Sequence, residues 1–200
     1  ITHFEQIKKL FQGVDTIFHT AAMARIQPSI KDPRQTFEVN ARGTLNVLLA
    51  ARAAGVRRLV YSASSSVYGD QAKLPLTEKM IPQPKSMYAL SKLMGEEMCR
   101  IFSQLYGLET ISLRYFNVYG PRQITEGAYS TVVGIFLDQL AKGHPLTIVG
   151  NGLSRRDFTH ITDVVEANVK AMKTKRAGRG EIFNIGYGHN YNINEVAAMI

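Results

Sequence analysis

Strand-like and helix-like segments alternate along the first part of this chain, and that order restricts its fold more than any other feature. Strands are predicted over residues 14–19, 58–63 and 109–114, with helices over residues 35–54 and 87–106. Gly55 and Gly107 follow the two helices as C-terminal stop signals, and Ser86 is the predicted N-cap of the second. This β-α-β-α-β order predicts an α/β fold with a parallel sheet covered by helices, which binds ligands where its strands end.

The pattern becomes less regular after Gly120. We predict a loop over 121–127, helices over 130–142 and 161–173, strands over 146–149 and 181–186, a turn at 150–152, and a last helix starting at Asn192 and running to the chain end. We interpret this part as a second region, on the substrate side and interleaved with the sheet.

Composition bounds the class of protein. Hydrophobic residues make up 45% of the 200 residues and charged residues 20%, as in soluble globular proteins. The apolar runs have the length of strands, so no transmembrane helix is expected, and the N-terminus lacks a secretory signal pattern. The single cysteine, Cys99, allows no internal disulfide and fits a reducing cytoplasm. We interpret Cys99 as a packing residue of a helix rather than a nucleophile.

The net charge of +8 could attract nucleic acid. The basic residues form short, separate groups, however, and no aromatic residues lie between them as a base-stacking surface requires. A basic surface with a few phosphate contacts is the preferred interpretation. His19 and His160 have no metal-like spacing with acids or cysteine, so no metal site is expected.

Tyr88 and Lys92 stand four residues apart, and therefore on one face of the predicted helix. An ammonium beside a phenol favours the phenolate and lowers the pKa of the tyrosine, so that it can exchange protons near neutral pH. A serine hydroxyl from the cluster after the strand at 58–63 could hold the same substrate hydroxyl. The alternative is two solvated residues on an ordinary helix, because the spacing alone is common.

Six segments in order resemble motifs of the extended short-chain dehydrogenase/reductase family, also called the NAD-dependent epimerase/dehydratase family. They are His19-Thr20-Ala21-Ala22, Asn40 to Asn46, the serine cluster with Val67-Tyr68-Gly69, Tyr88 with Lys92, Arg114 to Pro121, and Arg156 to Val164. The match is closest to the UDP-sugar 4-epimerases of that family. It implies a Rossmann-type doubly wound sheet, with residues 1–120 as part of an NAD-binding domain and residues 121–200 as a small substrate-binding region.

One feature of the family does not occur in this sequence. The family begins with a strand, a glycine-rich turn and a helix whose backbone amides hold the cofactor pyrophosphate. The chain also stops before the family's C-terminal substrate segment. We therefore expect an internal fragment of a longer protein, lacking both its N-terminal glycine-rich unit and its C-terminus.

The resemblance implies catalytic roles for three residues. Tyr88 would be the catalytic base, Lys92 would tune it and bind the nicotinamide ribose, and Ser64 would supply the working hydroxyl. The alternative for the serine cluster is that Ser65 or Ser66 does no more than cap the following turn.

Further contacts are implied by the same resemblance. NAD would be contacted by Ala21, Ala22, Asn40, Ser62, Tyr115 and Val118, and the UDP-sugar by Ser64, Ser65, Asn117 and Arg156. The alternatives are a local cap for Asn40, strand-end packing for Tyr115 and Val118, and a turn for Asn117. Arg155 is a competing phosphate ligand beside Arg156. Residues 146–150 would lie near the nucleotide base, and Asp163 is interpreted as structural.

The serine cluster narrows the reaction. By the resemblance, 4,6-dehydratases carry an acid pair where Ser65 and Ser66 stand, and decarboxylases carry Glu at the Ser66 position. Asn117 fits epimerases of UDP-hexoses better than those of UDP-glucuronate, which tend to have Thr there. An NAD-dependent 4-epimerase of a UDP-hexose is therefore expected. A 4-keto reductase and a catalytically silent nucleotide-binding regulator remain alternatives. A homodimer formed by the helices at 35–54 and 87–106 is implied by analogy.

Overall fold

The computed structural model describes residues 1–125 and 130–200. Its strands are β1 (Thr16–His19), β2 (Arg58–Ser64), β3 (Glu109–Tyr115), β4 (Asn117–Tyr119), β5 (Arg155–His160), β6 (Arg179–Ile185) and β7 (Asn190–Asn192). Its α-helices are α1 (Phe4–Ile7), α2 (Ile26–Lys31), α3 (Pro33–Phe37), α4 (Gly43–Ala53), α5 (Met87–Tyr106), α6 (Val132–Ala141), α7 (Ile161–Lys173) and α8 (Ile193–Met199). Short 3₁₀ helices cover Lys8–Phe11 and Ser65–Tyr68.

Four strands form the parallel sheet that the alternation predicts, in the order β1-β2-β3-β6. β2 is buried along nearly its whole length. Its side chains Leu59 and Tyr61 join Leu48 of α4 and Cys99 and Phe102 of α5 in one apolar core. Because parallel strands end at one edge of the sheet, the segments after β1 and β2 are brought together there. The predicted α/β Rossmann-type class is confirmed.

Helix α5 begins and ends where the sequence predicts. The Ser86 hydroxyl accepts a hydrogen bond from the Ala89 N–H at 3.1 Å, and Gly107 ends the helix in a left-handed conformation with φ 71°. Gly95 lets this helix approach β2 closely, since a Cβ at this position would lie 2.1 Å from the hydroxyl of Tyr61. The contact fixes the height of α5 over the sheet, and with it the position of Tyr88.

The predicted long helix over 35–54 is present, but its winding changes part-way along it. Helices α3 and α4 are separated by a π-helical turn at Glu38–Arg42, in which the Gly43 N–H donates to the Glu38 carbonyl five residues earlier. Apolar periodicity gives no sign of such a one-residue change in winding. π turns are often found at functional sites, and this one carries Asn40.

The chain divides into two compact units. The first comprises Ile1–Arg114 and Glu166–Asn184, and the second comprises Tyr115–Val165 and Ile185–Ile200. We predicted a boundary at residue 120, with the later region interleaved with the sheet. Residues 166–184 belong with the first unit, since most of β6 extends its sheet. The assignment of these regions to cofactor and substrate stays a prediction.

The second unit contains a three-stranded sheet in the order β4-β5-β7, whose short strands the sequence did not reveal. Helices α7 and α8 are confirmed, α7 with the predicted limits and α8 behind the predicted cap Asn192. The predicted strand at 146–149 is wrong. Its Thr147 N–H donates to the Gln139 side chain at 3.0 Å instead of to a neighbouring strand. The end of the predicted loop 121–127 lies outside the described residues.

Candidate active site

Ser64 is the last residue of β2 and the N-cap of the 3₁₀ helix that follows. Its hydroxyl oxygen accepts from the Ser66 N–H at 3.2 Å and from the Ser66 hydroxyl at 2.9 Å. The capping that we considered for Ser65 or Ser66 is therefore done by Ser64. Because both contacts use its lone pairs, the hydrogen of the Ser64 hydroxyl is left to donate elsewhere.

Tyr88 lies in the first turn of α5, half-buried, and the Ser64 side chain is close enough to affect the pKa of its phenol. Burial raises the pKa of Tyr88, and the Ser64 hydrogen bond and the charge of Arg25 lower it in part. We expected Lys92 to be the group that lowers this pKa. Arg25, on the segment after β1, is a cation whose charge lowers it in the structure, and the role of Lys92 stays a prediction.

Lys92 is buried one helical turn after Tyr88, with 5% of the residue exposed. Its ammonium donates to the Ser62 carbonyl at 2.8 Å and lies 5.2 Å from the centre of the Tyr61 ring. Burial lowers the pKa of Lys92 to about 8. Within the described residues, no further hydrogen bond of this ammonium is seen, so two N–H donors remain for a ligand.

The segment after β1 is held by side chains of the π turn and α4. Asn40 pairs with both backbone groups of Met23: the Met23 N–H donates to its Oδ1 at 2.7 Å, and its Nδ2 donates to the Met23 carbonyl at 3.0 Å. The Thr44 hydroxyl donates to the Asn40 carbonyl at 2.5 Å and lies 2.9 Å from Nε2 of His19. The segment with Ala21 and Ala22 is thereby fixed at the end of β1. The sequence did not single out Thr44, and only the contact reveals its part.

Arg114 and Glu96 form a buried ion pair between β3 and α5. The guanidinium donates to both carboxylate oxygens at 2.9 and 2.7 Å, and the two side chains are 2% and 0% exposed. The same guanidinium stacks on Tyr68 at 4.6 Å from the ring centre, and the Tyr68 hydroxyl donates to Asn184 at 2.6 Å. Two of the resemblance motifs therefore contain structural residues that fix α5.

In the second unit, Asn117 is the first residue of β4 rather than part of a turn. Its Nδ2 donates to the Asp157 carbonyl at 2.9 Å, in line with the parallel pairing of β4 and β5. Tyr115 and Val118 are half-buried on either side of it. Among residues 1–125 and 130–200 no other partner of this side chain is seen, so one amide N–H and the amide oxygen of Asn117 stay available for a ligand.

The structure distinguishes the two neighbouring arginines of β5. Arg155 donates to the Asn190 side chain and, at 2.8 Å, to the Asn190 carbonyl, and it pairs with Glu195 at 3.3 Å. Arg156 is exposed, and within the described residues its guanidinium is seen to donate only to the carbonyl of Arg155, at 2.7 Å. Successive side chains of a strand point to opposite faces, so only one of the two can serve a given site. The less committed guanidinium is that of Arg156.

Comparison with known proteins identifies the family. The model of the NAD dependent epimerase/dehydratase family matches residues 1–186. The chain belongs to this family. It is 38% identical over 187 residues to a UDP-glucose 4-epimerase of Mycolicibacterium smegmatis, covering 93% of this chain and 59% of that protein.

Solved structures of family members have the same fold. The UDP-glucose 4-epimerase of Thermotoga maritima, solved with UDP-glucose, matches with a TM-score of 0.94 and 34% identity, over 99% of this chain and 64% of that one. The UDP-glucuronic acid 4-epimerase of Bacillus cereus, solved with UDP-glucuronic acid and NAD, matches with a TM-score of 0.88 and 32% identity, over 96% of this chain and 60% of that one. This epimerase/dehydratase chain thus spans less than two thirds of the length of these relatives.

The family is NAD-dependent, and the residues of the first unit fit that cofactor. The two N–H donors left on the buried ammonium of Lys92 suit the two adjacent hydroxyls of a ribose. Among residues 1–125 and 130–200 there is no cluster of His, Cys, Asp or Glu that could hold a metal ion. None of the helices described is long and apolar enough to cross a membrane. Cys99 is fully buried and burial raises the pKa of its thiol, as expected of a packing residue.

Proposed function

We propose that this chain is the central part of an NAD-dependent 4-epimerase of a UDP-hexose, which acts by transient oxidation to a 4-keto sugar. The observation that carries the proposal is the buried ammonium of Lys92, which lies one helical turn after Tyr88 and donates at 2.8 Å to the Ser62 carbonyl of the strand that ends at Ser64. This arrangement offers a hydroxyl to hold a sugar hydroxyl, a phenol to exchange its proton, and a cation for the cofactor ribose. The relatives are UDP-sugar 4-epimerases, which supports the same reaction class.

The cofactor is proposed to lie against the ends of β1, β2 and β3. Lys92 binds the nicotinamide ribose. Ser62 contributes its backbone carbonyl, which holds the ammonium of Lys92 in place. The remaining proposed contacts are Ala21, Ala22, Asn40, Tyr115 and Val118. When bound, NAD supplies a hydride acceptor that returns the same hydride, so that no net oxidation results.

Proton transfer is the task of the protein side chains. Tyr88 takes the proton of the sugar 4-hydroxyl as the C4 hydride leaves, and returns it after the keto sugar has presented its other face. Ser64 donates to the reacting oxygen and stabilises it. The Ser66 hydroxyl donates to Ser64 at 2.9 Å and so keeps the Ser64 hydrogen directed away from Ser66. A pKa of Tyr88 that is raised by burial favours the protonated phenol, which suits the reduction step.

Two features favour epimerisation over the other reactions of the family. Elimination of water or carbon dioxide needs an additional acid or base beside the sugar, whereas Ser65 and Ser66 offer only hydroxyl groups. Ser66 is moreover occupied with Ser64. We assign Ser65 to the sugar and Asn117 and Arg156 to the diphosphate, because a guanidinium matches phosphate oxygens. A 4-keto reductase remains the second candidate, since it would use the same three residues.

The test uses the full-length protein purified without added cofactor. It is incubated with UDP-galactose, UDP-N-acetylgalactosamine and UDP-galacturonate in separate reactions, and the products are resolved by ion-exchange chromatography. Conversion to the gluco epimer without added NADH is the expected result, and the best substrate identifies the sugar. Conversion of none of them would refute the proposal, and a requirement for NADH in every turnover would favour the reductase.

A pair of tyrosine variants links the activity to the site. Tyr88→Phe removes the proton-exchanging hydroxyl and should abolish turnover, whereas Tyr106→Phe, at the exposed end of the same helix, should leave it unchanged. If Tyr88→Phe retained full turnover, the proposed role of Tyr88 would be wrong. Under the alternative of a catalytically silent regulator, neither the wild-type protein nor the variant would show turnover.

The predicted homodimer and the cytoplasmic location remain part of this proposal. The helices at 35–54 and 87–106 would form the dimer contact, and exposed apolar residues on them, including Leu45 and Leu90, suit such a contact. Light scattering of the full-length protein should give twice the chain mass, and the mass of a single chain would refute the dimer.

A further inference from the structure

The side-chain amide of Asn40 bridges two parts of the first unit. It holds the backbone of Met23 through two hydrogen bonds of 2.7 and 3.0 Å, and its Nδ2 also donates to the Ser91 hydroxyl of α5 at 3.0 Å. Asn40 is 1% exposed and Ser91 is fully buried. Water therefore does not replace these bonds, and each lost bond would leave a buried polar group without a partner.

Ser91 continues the bridge to the proposed catalytic tyrosine. Its hydroxyl donates to the Tyr88 carbonyl at 2.8 Å while its oxygen accepts from Asn40. The backbone of Met23 is thus joined to the backbone of Tyr88 through two side chains. The π turn at Glu38–Arg42 accounts for this reach, because its altered winding changes the direction in which Asn40 leaves the helix.

We propose that Asn40 and Ser91 are positioning residues that set the place of the segment after β1 relative to Tyr88. This inference rests on the proposed function. The segment carries Ala21 and Ala22, which are assigned to the cofactor, and Arg25, whose charge acts on the phenol. A fixed relation between the segment and the phenol keeps the hydride-accepting ring and the proton-exchanging oxygen at the same carbon of the sugar. Small displacements of reacting groups lower the rate without weakening binding.

The test compares two serine-to-alanine variants of the full-length protein. Ser91→Ala removes the acceptor of the Asn40 amide. Ser29→Ala is the matched control: Ser29 is 2% exposed, and its hydroxyl donates to the Ile26 carbonyl at 2.7 Å, three residues earlier, without a bridge to another element. Both variants lose one hydroxyl that is bound to a helix carbonyl, and only the first loses the bridge.

Two readouts are measured. The first is hydrogen exchange of the Met23 amide, which donates to Asn40 and reports on the bridge whether or not the protein is an epimerase. The second is the steady-state rate with the best UDP-sugar. We expect Ser91→Ala to speed the exchange about tenfold and lower kcat about tenfold, with KM changed less than about twofold, and Ser29→Ala to match the wild type in both.

Each result decides the inference. Equal exchange in the two variants would overturn the bridge, and faster exchange with unchanged kcat in Ser91→Ala would overturn its positioning role. A rise in KM that accounts for the whole loss of kcat/KM would mean that the bridge serves substrate binding instead. If the wild-type protein converts no UDP-sugar, the proposed function fails, and the Met23 exchange alone then supports or overturns the bridge.

Discussion

Replacing Glu96 by Gln isolates the buried ion pair that holds helix α5 to the sheet. Gln keeps the shape of the side chain but leaves the guanidinium of Arg114 buried without a counter-ion. The side chains are 0% and 2% exposed and share two hydrogen bonds, so solvent does not compensate for the loss. Removal of one partner of such a pair costs about 3–5 kcal/mol. At roughly 2–4 °C per kcal/mol for a protein of this size, Tm should fall by about 6–20 °C.

The neighbouring residue provides a matched control. Glu97 lies next to Glu96 in α5, pairs with Arg100 at 2.7 Å, and has a side chain that is 48% exposed. Glu97→Gln should change stability by less than about 0.5 kcal/mol, because water screens an exposed pair. Thermal unfolding of both full-length variants, followed by circular dichroism, measures the difference. Equal Tm values for the two variants would refute the assignment of this stability to burial of the pair.

Three further predictions concern packing and pH. Arg58 donates to four backbone carbonyls around the end of α7 at 2.6–3.0 Å. Arg58→Ala should therefore lower the free energy of unfolding in urea by about 3 kcal/mol or more, whereas Arg57→Ala, at an exposed site, should lower it by less than about 1 kcal/mol. Similar losses of stability in the two variants would contradict this prediction. Burial lowers the pKa of His19 to about 4 from 6.5. The unfolded chain therefore binds the proton first, and about 3 kcal/mol of stability should be lost as pH falls from 6.5 to 4. His19→Gln should flatten that part of the curve, and an unchanged slope would exclude His19 as its source. Gly95→Ala should lower Tm despite the better helix propensity of Ala, because its Cβ would lie 2.1 Å from the Tyr61 hydroxyl. A raised Tm would show that α5 can shift away from β2 without a loss of stability.

The elements with strong local signals were predictable. The limits of α5 and α7 agree with the prediction because a capping serine, a C-terminal glycine and apolar spacing all act within a few residues. The placement of Ser64 at the end of a strand and of Tyr88 in the first turn of a helix was also predicted, since both follow from local patterns.

Features that depend on distant partners were not predictable. The apolar residues at 146–149 look like a strand, but a strand forms only when a neighbour accepts its hydrogen bonds, and here the side chain of Gln139 takes that place. The pairing of β4, β5 and β7 depends likewise on segments that lie far apart in the chain. The same holds for the π turn at Glu38–Arg42. The hydrogen bonds from Asn40 to the Met23 carbonyl and the Ser91 hydroxyl stabilise it, and the spacing of apolar residues does not indicate it.

The charges around Tyr88 were also decided by tertiary contacts. Spacing along the helix suggested that Lys92 would lower the pKa of Tyr88. In the folded protein the ammonium is held by the Ser62 carbonyl of β2, and the charge of Arg25 also lowers the pKa of the phenol. Sequence distance predicts that two side chains share a helix face, but not which acceptor in the sheet captures a long, flexible lysine.

The sequence by itself therefore determined the alternation of strands and helices, the family, and the identity of Ser64, Tyr88 and Lys92 as candidates, because these depend on short-range order along the chain. The tertiary structure alone decided how those side chains are oriented. Hydrogen bonds and burial act between groups that folding brings together, and the Asn40–Ser91 bridge and the anchoring of Lys92 on β2 exist only once the helices have packed on the sheet.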